Sequence, residues 1–385
     1  MTVGIQRTRL YRLFKRVVIG TVICVGACVF PATLSAADMA KEKAVEEAVE
    51  EAVEKATDMV VEKAAEVAVE KAELTAMRPD ELGSPTKVHF LVFVIDVDDI
   101  DDANQSFTSN FYIHLRWKDK RLANPDGSTR QVRLEEIWNP RIVITNQQGR
   151  LTKSLPDIVQ VDPDGTVNYR QRYTGNLSQP LDLTQFPRDT HSFTIHFVAA
   201  GYTDDELEFL PALLRNIPGG SIADDLSLPD WKVVNHEALV LPYTPIEGIR
   251  SAGFAFRFKA ERYITYYIWQ VILPLAVVVV MSWAAFWVGR ENVGVRIGVA
   301  TSSILTLIAH RFVLASLLPR LPYMTRLDYF TVGSTLLVFM ALITVIFTSF
   351  LAGKDHDSLA QKVDISARGT FPAIFLFMLG WFFYG

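Results

Sequence analysis

The chain has 385 residues, half of them hydrophobic and 21% charged, with two cysteines and a formal net charge of −5. That length argues for more than one unit, the apolar content excludes a disordered chain, and the slightly acidic balance lacks the concentrated Lys and Arg of a nucleic-acid binder. Mean hydropathy is +0.19, high for a soluble protein, and much of the excess lies after Tyr263, so the sequence predicts a membrane protein with a soluble front half.

Residues 1–37 carry the three-part pattern of a secretory signal. Arg7, Arg9, Arg12, Lys15 and Arg16 form a basic stretch, an apolar run follows from Val17 to Phe30, and small residues precede Asp38. An uncleaved anchor is the alternative, but the run falls short of the ~20 residues a bilayer span needs. Cys24 and Cys28 both lie in this segment, so the mature chain is expected to hold no cysteine and no disulfide.

Residues 38–77 are almost entirely Ala, Val, Glu and Lys, mostly good helix formers. Val-Glu-Lys-Ala recurs at 53–56, 61–64 and 69–72, and Val45, Val49, Val53, Ala56, Val60, Ala64 and Val67 form a stripe at helical spacing. Val45, Ala56 and Val67 recur at eleven residues, a period that fits a straight or slightly right-handed helix association. An oligomerising helix and a solvated helical spacer both satisfy this pattern. Arg78-Pro79 and Gly83-Ser84-Pro85 mark a linker after it.

A β domain is expected over 86–262. Phe111, Ile113, Leu115 and Trp117 alternate with Tyr112, His114 and Arg116, the period of a half-buried strand. Asn124-Pro125-Asp126-Gly127 and Asp162-Pro163-Asp164-Gly165 are turn sequences between strand candidates. Many short strands favour an antiparallel sandwich. No nucleotide loop or nucleophile elbow is present, so the chain does not read as an enzyme, and nothing calls for a cofactor. His191 and His196, five apart, belong on opposite strand faces and are a poor metal pair. Asp96, Asp98, Asp99, Asp101 and Asp102 lack the Gly and terminal Glu of an EF-hand and read as a solvated loop.

Residues 263–385 hold four predicted spans, at about 268–288, 297–318, 329–351 and 370–384. With the β domain outside, the inner connections carry Arg290, Arg296, Lys354, Lys362 and Arg368, in keeping with the positive-inside bias. The second span is unlike the others. Steps of four and three pick out Gly298, Ser302, Leu305, Ala309, Phe312 and Ser316, polar toward the inner end and apolar toward the outer. Several copies around an axis would make a pore constricted at Leu305 and Phe312, where apolar rings gate by dewetting. Close packing of small residues between helices is the competing explanation.

The order of signal, sandwich and four spans resembles the pentameric ligand-gated ion channels, above all their prokaryotic members. Leu183-Thr184-Gln185-Phe186-Pro187-Arg188-Asp189 is similar to the Phe-Pro-x-Asp centre of that family's signature loop. Gln179 and Phe193 stand where animal receptors have bridged cysteines. Trp117-Lys118-Asp119, Trp138-Asn139-Pro140, Ile272-Leu273-Pro274-Leu275 and Pro319-Arg320-Leu321-Pro322-Tyr323 resemble further family motifs in the family's order.

The resemblance implies a homopentamer in a lipid bilayer that passes inorganic ions when a small-molecule agonist, or protons, bind between subunits. It places the chain in a bacterial inner membrane with the β domain in the periplasm. Leu305 falls on the family's central gate leucine, with Phe312 narrowing the outer pore. Asp189 and Arg262 are expected to pair where the β domain meets the membrane, passing the signal with Pro187 toward Pro319–Tyr323. For selectivity, Glu291 and Arg296 are the candidate charges; the absence of a Glu beside Arg296 tilts the expectation toward anions. The agonist loops supply Tyr112 on one face and Tyr202, Tyr243 and Phe254 on the other, while Thr145 and Ala200 take the places of usual cage aromatics. His114 and Arg116 beside Tyr112 would suit an acidic or pH-linked ligand, and His310 in the second span offers a proton sensor. A non-conducting sensor and a membrane enzyme are the competing classes, the first weakened by the lack of a cytoplasmic signalling domain.

Overall fold

The computed structural model describes residues 36–80, 83–124, 127–214, 217–317, 321–354 and 356–384. The expected signal, with both cysteines, falls outside them apart from its last residues, and so do Pro319 and Arg320. The chain divides into two units at Lys71 and Ala72.

The described residues of the first unit all belong to helix α1 (Ala36–Ala76), whose last turn is counted with the second unit. Ala-Val pairs recur at 44–45, 48–49 and 52–53. A repeat of four residues on a helix of 3.6 per turn drifts by about 40° at each step. The apolar stripe therefore winds around the helix instead of lining one face, and Val45, Val49, Val53 and Val60 are all exposed.

The second unit holds two large β-sheets and a two-stranded ribbon among the described residues. Its strands are β1 (Thr86–Asp101), β2 (Ser106–Lys118), β3 (Arg130–Arg133), β4 (Ile142–Ile144), β5 (Gln147–Lys153), β6 (Ile158–Val161) and β7 (Thr166–Ser178). Then come β8 (Thr190–Thr203), β9 (Leu207–Pro211), β10 (Leu213–Leu214), β11 (Ile217–Pro218) and β12 (Gly220–Ile222), followed by β13 (Trp231–Val240), β14 (Tyr243–Ile246) and β15 (Ile249–Arg262). The larger sheet runs β12-β1-β2-β7-β6-β3, with β5 on β7 and β9 on β1; the second runs β13-β15-β8-β4, with β14 on β15; and β10 and β11 pair separately as a two-stranded ribbon. Pairing is antiparallel except where β9 and β12 join β1.

The inward residues of each strand are the apolar set of the period-two pattern, because only that register buries Phe111, Ile113, Leu115 and Trp117 together. The sheets share an aromatic core: Phe90 stacks on Phe254 at 4.6 Å between centroids, and Phe193 on Phe258 at 5.2 Å. Phe254 is therefore a fully buried core residue, which corrects its expected place in an agonist cage.

Four membrane-length helices complete the unit: α2 (Thr265–Phe286), α3 (Val293–Leu317), α4 (Arg326–Ala352) and α5 (Asp357–Tyr384). Thr325 and Asp328 form a reciprocal capping box at the start of α4, satisfying backbone donors that a helix start leaves open. Helix α5 begins thirteen residues before the start the hydropathy suggests, at Asp357 instead of Thr370. Its first turns carry Lys362, Asp364 and Arg368, which lower hydropathy without breaking the helix.

Candidate functional site

Arg262 ends β15 at the boundary between sheets and helices, and its guanidinium is buried. Its Nε donates to Asp189 Oδ1 at 2.9 Å and its Nη2 to Asp189 Oδ2 at 3.1 Å, a two-pronged pairing of the strong, planar kind. Nη2 also donates to Asp102 Oδ1 at 2.9 Å. The guanidinium lies over the Trp231 ring at 4.1 Å and the Phe186 ring at 4.8 Å, so two aromatic rings add cation–π contact to the ion pairs. Two carboxylates and a neighbouring ring nitrogen, His191 Nε2 at 2.7 Å from Asp189 Oδ2, complete the hub.

Burial alone would raise the Asp189 carboxyl, but hydrogen bonds from His191 and Arg262 outweigh it and hold the group below its ordinary range. In the sequence Asp102 belongs to an acidic stretch expected to be a solvated loop. The structure instead closes the β1–β2 turn onto Arg262, and Asp101 and Asp96 are occupied by backbone amides of Ala103, Asn104 and Ser227. Among the described residues no acidic cluster is arranged for a metal ion. No signal in the sequence marks Asp102 or Trp231, because their partner lies far along the chain.

The loop around Asp189 grips the helices below it. Tyr323 Oη accepts from the Leu183 amide at 3.0 Å, the Arg326 amide donates to Thr184 O at 3.0 Å, and the Leu327 amide donates to Phe186 O at 3.3 Å. The Phe186 ring meets Tyr267 of α2 edge-on at 4.9 Å, and Arg188 donates to the Phe383 carbonyl near the end of α5. Pro187 is buried within this loop, whereas Pro322 is exposed beside Tyr323. One loop thus touches three of the four helices. The loop's base is closed by the Gln179 side chain, whose Oε1 accepts the Thr194 amide at 3.1 Å.

Helix α3 has two opposite faces. At about 100° per residue, Gly298, Ser302, Leu305, Ala309 and Phe312 fall within about 40° of one line. All five are exposed, Leu305 at 69% and Phe312 at 75%. On the other side Arg296, Ala300, Ser303, Leu307 and Leu314 are buried against the subunit's own helices. The Ser316 side chain lies outside what is described. Arg311 is exposed, and His310 lies half-buried toward the bundle with Nδ1 unpartnered.

The inner end of α3 overturns one expectation. Arg296 is fully buried: Nη2 donates to Asp364 Oδ1 of α5 at 2.7 Å, and Nε to Ala285 O of α2 at 3.0 Å. Its charge is neutralised inside the subunit and cannot line an inner mouth, so it is withdrawn as a selectivity residue. Two more arginines brace the same end. Arg368 donates twice to Phe286 O, and Arg290 donates to both the carbonyl and the carboxylate of Asp357. The exposed charge left at this turn is Glu291, whose carboxylate folds back over Gly289.

In the β domain, Thr203 pairs with Ser251 and Ser251 with Tyr243, so Tyr202 and Tyr243 come to the same end of one sheet. Tyr202 Oη accepts from Trp138 Nε1 at 2.9 Å, and Tyr243 meets the His196 ring edge-on at 5.5 Å. Thr145 Oγ1 lies 3.2 Å from His196 Nδ1. His191 and His196 do lie on opposite faces of β8. Tyr112 and His114 stand on the solvent face of the other sheet, away from Tyr202 and Tyr243 within one subunit.

The family model for the neurotransmitter-gated ion-channel ligand binding domain matches residues 74–222, and that for the neurotransmitter-gated ion-channel transmembrane region matches residues 271–378. The chain belongs to the neurotransmitter-gated ion-channel family. It is a ligand-gated channel, a multi-pass membrane protein with an extracellular ligand-binding domain, and its family is not an enzyme class. The first match begins beside Thr75, whose carbonyl accepts the Trp138 amide of the channel's β domain at 2.7 Å. This channel lacks the family's bridged cysteines at Gln179 and Phe193, as the sequence itself indicates.

Proposed function

We propose that five copies of the chain surround a pore lined by Gly298, Ser302, Leu305, Ala309, Phe312 and Ser316, closed at Leu305 and Phe312 and opened by a small molecule bound between β domains. The observation that carries this reading is the division of α3. A helix whose most exposed line holds a serine, a glycine and two large apolar residues, opposite a fully packed face, is arranged for neighbours around shared water. Tyr202 and Tyr243 on one subunit and Tyr112 and His114 on the next would frame the agonist. Asp189, Arg262 and Pro187 would carry its effect to Pro322 and Tyr323. The missing cysteine bridge supports a bacterial inner membrane, with the β domain in the periplasm.

Leu305→Ala should raise resting open probability by about tenfold, ~1.4 kcal/mol on the gating equilibrium. Currents from purified protein in planar bilayers read this directly; a variant as silent as the parent, with no current under any agonist, would favour a non-conducting sensor.

With Arg296 neutralised, the sign of the inner mouth falls to Glu291, and charged rings set which ions pass. The channel is therefore expected to select cations, against the tilt given by the linker sequence. Reversal potentials in a salt gradient decide it: a cation potential that Glu291→Lys moves toward the anion side supports the assignment, and an anion potential in the parent ends it.

A further inference from the structure

The end of α1 that belongs to the second unit is fastened to the β domain at three points. Thr75 is buried and its carbonyl accepts the Trp138 amide at 2.7 Å. The Met77 carbonyl accepts from Arg121 Nη2 at 2.8 Å, and Arg121 is clamped on the buried Asp119 carboxylate through Nε at 2.8 Å and Nη2 at 2.7 Å. Arg78 Nη1 donates to the carbonyls of Ser84 and Glu206, each at 2.9 Å, and lies 3.3 Å from Thr86 Oγ1. The Thr86 amide donates to the same Glu206 oxygen at 2.9 Å.

Two of these anchors converge on Tyr202, which is half-buried near the end of β8. The first reaches its ring. Trp138, tied through its backbone to Thr75, gives its indole N–H to Tyr202 Oη at 2.9 Å and meets the ring nearly edge-on at 5.7 Å. The second reaches its backbone. The Glu206 carboxylate accepts the amide of Thr203 at 2.9 Å and its hydroxyl at 3.1 Å, and the Glu206 amide donates to Thr203 O at 3.2 Å. Glu206 therefore locks the residue next to Tyr202, while its own carbonyl is held by the Arg78 guanidinium. A hydrogen bond from a charged donor is stronger than one between neutral groups, so Arg78 is the firmer of the two holds.

We propose that the segment Thr75–Arg78 is a control point for the ligand site, with Trp138 and Arg78 as positioning residues that set where Tyr202 stands. The proposal rests on the agonist reading of Tyr202 above. It adds the joint with α1 as a second place from which the channel's sensitivity is set, through a coupling between two distinct parts of the domain.

The test uses the full-length channel in lipid nanodiscs with 3-fluorotyrosine at position 202, read by fluorine NMR without any ligand; a second preparation carries the label at Tyr323. Trp138→Phe keeps a ring but removes the N–H, and Arg78→Gln removes the charge; each should shift the Tyr202 resonance and leave that of Tyr323 in place. Arg78→Lys should bring it back toward the parent. Ala76→Pro should shift it as well, because proline drives the preceding residue out of the helical region and so turns the Thr75 carbonyl away from Trp138. Currents are then recorded with glycine, glutamate, acetylcholine and 1,4-diaminobutane. For a compound that opens the parent, Arg78→Gln should raise the half-maximal concentration by about tenfold, and Trp138→Phe should add nothing in a Tyr202→Phe background. A Tyr202 resonance unmoved by both Arg78→Gln and Trp138→Phe overturns the inference, and so does one that moves only together with Tyr323, the mark of general loosening. The two readings fail separately. A shifted resonance with every response intact in Tyr202→Phe faults the agonist reading; an unmoved resonance with responses weakened by Tyr202→Phe faults the joint alone.

Discussion

Asp364→Ala should lower the stability of the membrane domain by about 3–5 kcal/mol, the cost of stranding a buried charge by removing its partner. Arg296 has no exposure, and among the described residues it has no second carboxylate partner and its Nη1 has no hydrogen-bond partner. Water cannot replace Asp364 without entering a site where both side chains are buried. Thermal unfolding of the purified channel measures the loss. Arg296→Met/Asp364→Leu removes both charges at similar volume and should melt close to the parent, since a well-packed apolar pair is often neutral or better. A double variant as unstable as Asp364→Ala would locate the damage in packing, not in charge. The same single change should also disturb conduction, because a guanidinium released from Asp364 lies at the inner end of the proposed pore helix.

Arg262→Ala is expected to cut agonist-evoked current by about 5–150-fold while leaving surface expression in place, the range typical of a coupling free energy of about 1–3 kcal/mol. Arg262 is the point where Asp189, Asp102, Trp231 and Phe186 converge. Removing it frees the loop that holds Tyr323 and the start of α4. Arg262→Lys keeps the charge but not the fork or the flat face, so it should recover little. Recording agonist responses alongside ligand binding separates lost coupling from lost affinity; normal gating in Asp189→Ala would remove the pair from the mechanism. The sign with pH follows from the depressed Asp189 carboxyl. Its contribution is fully present above the unfolded value of about 3.9 and disappears as pH falls through its lower folded value. The hub therefore withstands the mild acidity that would protonate an ordinary exposed carboxylate.

The architecture was legible wherever its signal is local. Alternation along β2 marks its buried face, apolar length marks the helices, and the three-four spacing of Gly298 to Phe312 marks the exposed line of α3. The meeting of Asp189 and Arg262 came from a family resemblance, since 73 residues separate them and no periodicity links them. What stayed hidden depends on distant partners. Asp102 looks like one acid among five until Arg262 arrives from β15. Arg296 looks like a pore charge until Asp364 arrives from α5, whose early start was masked by that very charge. Phe254 has the chemistry of a cage aromatic, and only its inward register on β15, against Phe90, assigns it to the core.

The Gln179 side chain and the Thr194 amide close the signature loop where relatives use a sulfur bridge. A closure made of one amide-to-backbone contact owes nothing to the redox state of its surroundings. The junction that grips α4 can therefore assemble without an oxidising folding step, and thiol reductants have no bond there to cut.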